Sequence, residues 1–366
     1  MSAMDRILAG VVCLAGAASF ACAQQPAATG TASGGPATSA ALPGDPHSVL
    51  LDVVVTDKGG RPVAGLQEGD FTVLDDHQPA KILSFKAHSM EGLAPSAVDA
   101  STAVILILDE VNATYAEVID ARHWMEKFLK QNGGQLQHPV VLGILTDDGL
   151  QLQSQPAVDG DALADALEKQ GQAYRTVEQG TMFGESTRLR ISQDALGVLI
   201  ERERKQPGRK MVIWVGPGWP LLSGPSVALT SEQEQRVYHS AIRFSTGLRE
   251  ARITLYSIDT MGPFEGGTMR TTYYENFTKG LTKADGAMLG DLSLQVMDVQ
   301  SGGTAIFGGE TIQGSLNYCV RDLKAFYTIS IEGGGLKGDN MYHTLEVRMK
   351  PAGLKARTRT GYYAQP

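Results

Sequence analysis

Apolar runs recur through the middle of the chain, and each stops abruptly. Residues 104–108 (VILIL) stop at Asp109, 139–146 (PVVLGILT) before Asp147, 210–215 (KMVIWV) at Gly216, and 253–258 (ITLYSI) at Asp259. Unbroken runs of this length read as strands buried on both faces, as a parallel sheet requires. Between them, apolar positions recur three and four apart. Residues 116–131 carry Val118, Ile119, Trp124, Met125, Phe128 and Leu129. A charged amphipathic stretch at 185–206 ends at Pro207-Gly208, and 230–249 opens on Thr230-Ser231-Glu232, a cap signal. This spacing is helical. Further helices are predicted from Asp159 or Asp161 to about 170, at 284–300 and at 311–325, with an edge strand at 150–154 and a short strand at 303–307. Alternating strands and helices predict a doubly wound, mostly parallel α/β sheet covered by helices.

Both ends of this α/β region, assigned to 101–322, change to period two. In 48–88, Val49, Leu51, Val53 and Val55 share one face, 71–74 form a second strand, Asp75-Asp76-His77 a turn, and 81–85 a third strand. In 323–366 the strands are 326–331, 342–349 and 356–363. A few strands bury too little surface to stand alone. The two end segments are therefore expected to pack together as a small β-sandwich from which the α/β domain is inserted.

The first 23 residues read as a secretory signal peptide: Arg6, an apolar small-residue stretch at 7–20, then Ala21-Cys22-Ala23 with cleavage after Ala23. The stretch is too short for a span of ~20 residues. Lipid attachment at Cys22 and an uncleaved anchor are the alternatives. Residues 24–47, rich in Ala, Gly, Ser, Thr and Pro, read as a flexible leader. The expected location is periplasmic or extracellular, including the cell surface. Of three cysteines, Cys13 and Cys22 fall in the signal, so Cys319 alone remains and no intramolecular disulfide forms in the mature chain. A net charge of −8 argues against nucleic acid and anionic lipid as partners. No other apolar run approaches spanning length.

Six stretches in order, VVVTDKGGRPVAGL (53–66), GDFTVLDD (69–76), PGRKMVIW (207–214), LYSID (255–259), SGGT (301–304) and RTRTGYY (357–363), cover nearly all of the mature chain. On them the chain resembles the bacterial von Willebrand factor A-related domain proteins of the type described from acidobacteria. The resemblance implies export, a von Willebrand A fold and no established catalytic chemistry. Such domains often hold a divalent ion on three loops above the sheet, the first reading Asp-x-Ser-x-Ser, the others giving a Thr and an Asp.

Here the first loop is Asp109-Glu110-Val111-Asn112-Ala113. Asp109 matches, but Val111 and Ala113 stand where hydroxyls belong. The third loop, Gly216-Pro217-Gly218-Trp219, has no Asp, and the second leaves Thr181, Ser186 and Thr187 open. The other reading of Asp109 is a helix cap or an acceptor of loop amides. Asn112 and Thr114 remain as oxygen donors in another geometry. No His-Glu-x-x-His, Cys-x-x-Cys, Gly-x-Ser-x-Gly or phosphate loop occurs, and Cys319 reads as a core residue rather than a nucleophile. Asp259 is read as either lining the same crevice or making a turn. Trp219 and Tyr273-Tyr274 are read as either partner-binding or buried. The expectation is a non-enzymatic module binding an unidentified protein or envelope component through Asp109, Asn112, Thr114, Gly216, Pro217 and Trp219. It has no resident cofactor; the alternative is a cation-dependent adhesin with Mg²⁺ or Ca²⁺ at Asp109.

Overall fold

A computed structural model describes residues 48–90, 92, 102–171, 175–178, 180–224, 227–261, 271–308, 311–333 and 340–365. The signal at 1–23 and the leader at 24–47 lie outside the described residues.

The chain enters through β1 (Ser48–Thr56), β2 (Phe71–Asp75), the two-residue β3 (Gln78–Pro79) and β4 (Ile82–Ser89). The α/β region follows: β5 (Thr102–Asp109), α1 (Tyr115–Leu129), β6 (Gln135–Thr146), β7 (Gly149–Leu152), β8 (Ala157–Asp159) and α2 (Gly160–Lys169). It continues with α3 (Met182–Glu203), β9 (Arg209–Val215), α4 (Ser231–Glu250), β10 (Ile253–Ile258), α5 (Leu294–Ser301), β11 (Ala305–Ile306) and α6 (Ile312–Arg321). The chain closes with β12 (Ala325–Glu332), β13 (Tyr342–Met349), β14 (Lys355–Arg357) and β15 (Gly361–Tyr363).

The central sheet runs β11-β10-β9-β5-β6-β7, with β8 also paired to β6. β5 is parallel to β6 and β9, and β10 is parallel to β9 and β11; β7 and β8 are antiparallel to β6. This is the mixed α/β, mostly parallel sheet that the pattern predicts. The order reverses between β5 and β9, and in such sheets the crevice at that switch point is where ligands sit. The unbroken apolar run of β5 has a direct cause. Ile105 and Ile107 pack with Val212, Trp214, Leu196, Leu199 and Phe244 on one face. Val104, Leu106 and Leu108 pack with Val118, Met125, Leu316 and Cys319 on the other. Cys319 is wholly buried, and burial pushes its thiol well above its ordinary pKa.

Capping sets where the helices begin. Thr114 and Glu117 make a capping box on α1, Asp159 accepts from Ala162 N to start α2, and Thr181, Thr230 and Thr311 cap α3, α4 and α6. The helix expected at 284–300 is broken. A 3-10 turn at Leu289–Leu292 precedes α5, and Ser293 between them is extended. The Asp291 carboxylate accepts from Met288 N, and Gly290 N is taken by Ser223 Oγ at 2.7 Å, so the local backbone donors are satisfied outside a continuous helix.

The chain ends form two four-stranded antiparallel sheets, β14-β1-β12-β4 and β15-β13-β2-β3. They share one core: Val49, Leu51, Val53 and Val55 meet Phe71, Val73, Tyr327, Ile329, Ile331, Leu345 and Tyr362. The single strand expected at 356–363 is instead two short strands in different sheets. Between them Arg359 is buried, and Gly302 approaches so closely that a Cβ there would lie 2.7 Å from the Thr358 carbonyl carbon.

Partly buried ion pairs join sandwich to α/β domain. Arg357 on β14 pairs with Asp322 after α6, and donates to Thr304 Oγ1 at 2.8 Å and Gly302 O at 3.0 Å. Arg252 before β10 donates to Asp52 Oδ1 on β1 at 2.6 Å. Asp322 is 3 % exposed, so Arg357→Ala leaves a buried carboxylate without its cation. It should cost about 3 kcal/mol in urea unfolding; an unchanged midpoint would show that the pair does not hold the junction.

Candidate functional site

Asp109 ends β5 at the switch point and is wholly buried. Its Oδ1 accepts from Val111 N at 3.0 Å and Asn112 N at 2.9 Å. Its Oδ2 accepts from Asn112 Nδ2 and Trp214 Nε1, both at 2.8 Å. Trp214 belongs to β9, so this carboxylate clamps the two strands where the sheet order reverses. Asn112 Nδ2 also donates to Ser192 Oγ at 2.9 Å, and Ser192 donates to Arg188 O at 2.8 Å, which ties the loop to α3. Burial pushes the Asp109 pKa up, opposed by the bonds from Asn112 and Trp214. Gly216 passes against this side chain: a Cβ there would stand 2.7 Å from Asp109 Cβ.

The other site residues separate into roles. Thr114 is exposed and committed to the α1 cap. Trp219 is buried, edge to face with Trp214 at 5.4 Å between centroids. Its Nε1, like Asn112 Oδ1 and Arg188 Nε, is buried with no hydrogen-bond partner among the described residues. Thr181 caps α3, Ser186 lies in it, and Thr187 Oγ1 donates to Phe183 O at 2.9 Å. Asp259 Oδ1 accepts from Met261 N at 3.2 Å, a turn contact.

Asn112, Pro217 and Trp219 are brought together with Arg188, Tyr274 and Gln295 around a cleft of about 780 Å³. Arg188 and Gln295 are among the lining residues that sequence reasoning missed. Arg188 is 7 % exposed, donates to Glu178 O at 2.8 Å, and has its pKa lowered by burial. A buried arginine on the apolar side of an amphipathic helix, beside Leu189, Ser192 and Leu196, is the signal that was available.

The oxygen set around Asp109 does not fit a divalent ion. Mg²⁺ needs near-octahedral oxygen ligands and Ca²⁺ needs six to eight. Val111 and Ala113 are buried in apolar clusters on opposite faces of the sheet, and both Asp109 oxygens already carry two N–H donors each.

The chain matches no family model, and no curated protein matches it. Among solved structures it is similar to an aerotolerance-related membrane protein from Bacteroides fragilis, at 12% identity and a TM-score of 0.35, over 61% of this chain and 98% of that one. It is also similar to the SpRpn10 VWA domain, at 13% identity and a TM-score of 0.28, over 60% of this chain and 94% of that one. The human COPII-coat protein Sec24c is similar at 10% identity and a TM-score of 0.31, over 76% of this chain and 46% of that one. The fold itself rests on the strand order and register given above. Among the described residues no helix is long and apolar enough to cross a membrane.

Proposed function

We propose that the chain is an exported, non-enzymatic interaction module of the von Willebrand A type that holds a protein partner in the cleft at the switch point. The observation that carries this reading is the cleft itself. It lies in the crevice that doubly wound sheets use for ligands, and three of its lining residues, Asn112, Arg188 and Trp219, each carry a buried polar atom with no hydrogen-bond partner among the described residues. Tyr274 and Leu221 are half-buried lining residues whose loss leaves the core intact. Tyr274→Ala combined with Leu221→Asp should reduce capture of the partner from a native envelope fraction at least tenfold, with an unchanged melting temperature. Undiminished capture would count against the cleft.

The alternative, a cation-dependent adhesin, has the saturated Asp109 carboxylate against it. Calorimetric heat and a thermal shift on adding Mg²⁺ or Ca²⁺ to the intact chain, retained in Asp76→Asn, would favour it; no heat would eliminate it. Export is tested by the mass of the secreted chain, expected to begin at Gln24.

A further inference from the structure

We propose that Asp75, Asp76 and His343 form a binding site for a zinc-type divalent cation in the β-sandwich, separate from the cleft. Asp75 ends β2, and Asp76 opens the turn to β3 with a left-handed φ of 47°. His343 lies on β13, the strand that pairs with β2. His343 Nδ1 lies 3.2 Å from Asp75 Oδ1 and 3.0 Å from Asp76 Oδ2, and one ligand atom from each residue lies within 4.8 Å of the others. Zinc–ligand bonds of ~2.0–2.1 Å put the corners of a tetrahedral site roughly 3.3 Å apart. Both nitrogen–oxygen distances are therefore close to that spacing, the two carboxylates are near enough to close on one ion, and the fourth corner is left for water.

The groups behind these three hold them in place. Tyr362 Oη donates to Asp75 Oδ2 at 2.8 Å and its ring stacks on His343 at 5.0 Å, fixing one carboxylate and the imidazole together. Thr344 N and Oγ1 donate to Asp76 Oδ1 at 2.8 and 3.2 Å. In each carboxylate one oxygen is thus held from behind while the other faces Nδ1, the arrangement that orients metal ligands. His343 is 5 % exposed, and its Nε2 is buried with no partner among the described residues. Without a cation the two carboxylate oxygens accept the proton carried on Nδ1; a cation takes that proton's place, Nε2 carries the ring proton instead, and Nδ1 presents its lone pair. Imidazole with carboxylates suits zinc and its neighbours better than Mg²⁺ or Ca²⁺.

The test is calorimetric titration of the metal-stripped mature chain with Zn²⁺, with Co²⁺ absorption as the second reading of a nitrogen-and-oxygen site. Binding of a single ion is expected. Asp76 is exposed, so Asp76→Asn keeps the fold and should weaken binding at least tenfold, whereas Glu346→Gln on β13 and His77→Ala should leave it unchanged. Absence of heat overturns the proposal. So does binding indifferent to Asp76→Asn, and so does loss in His77→Ala with retention in Asp76→Asn, which would place the ion on the exposed imidazole.

Discussion

Asp109→Ala is expected to lower the unfolding free energy by about 4 kcal/mol or more, because leaving a buried donor unpaired costs about 1–3 kcal/mol and four donors lose their acceptor at once. Two are loop amides, of Val111 and Asn112; the others are Asn112 Nδ2 and Trp214 Nε1. Asn112 Nδ2 keeps Ser192 as a second acceptor, so the loss there is partial. Asp109→Asn is also harmful: its amide would turn N–H groups toward either the loop amides or the Trp214 and Asn112 side chains. Urea unfolding should show a lower midpoint at an unchanged slope. A wild-type midpoint in Asp109→Ala would show that the carboxylate does not clamp the two strands. Asp109 therefore suits a stability experiment, and a loss of partner capture in its variants would report the sheet rather than a lost contact.

The second large effect lies under the opposite edge strand pair. Asp298 on α5 is wholly buried and accepts from Ser257 Oγ on β10, while its Oδ1 has no partner among the described residues. Burial pushes its pKa from 3.8 up to about 8, against the opposing pull of Ser257. The folded value lies above the unfolded one. Between pH ~4 and ~8 the folded chain therefore keeps a proton that the unfolded chain has lost, and stability falls as pH rises through that window. A shift of this size corresponds to roughly 6 kcal/mol. Asp291, pushed to about 6 by burial, acts in the same direction over a narrower window. Asp298→Asn should behave like wild type near pH 4 and exceed it in stability near pH 9. Parallel stability curves for the two proteins would contradict this.

The parallel sheet was legible because β5, β6, β9 and β10 are covered on both faces, and a strand covered on both faces has no polar face to interrupt it. The sandwich was legible from period two, with Val49, Leu51, Val53 and Val55 facing its core. Distant contacts decided what was not legible. The residues around Arg359 have strand-forming neighbours on either side, and the approach of Gly302 accompanies the division of that stretch between sheets. The pattern at 284–300 is helical, yet a serine far back in the chain, Ser223, takes the Gly290 amide. At the cleft, strand ends and loops pointed to Asn112, Pro217 and Trp219, whereas Arg188 and Gln295 arrive from α3 and α5 through tertiary packing. Asp75-Asp76 read as a turn, and nothing local linked it to His343.

The pairing of β1 with β12 joins Ser48 to Glu332 across almost the whole described chain. Loop closure of that length is slow and comes after local contacts have formed. A chain crossing a membrane with its N-terminus first would deliver β1 long before its neighbour. Until β12 and β14 follow, both edges of β1 stay unpaired, edges of the kind that invite aggregation. β1 is thus made well before either strand that pairs with it, and a chain cut short after the α/β domain would leave both its edges open.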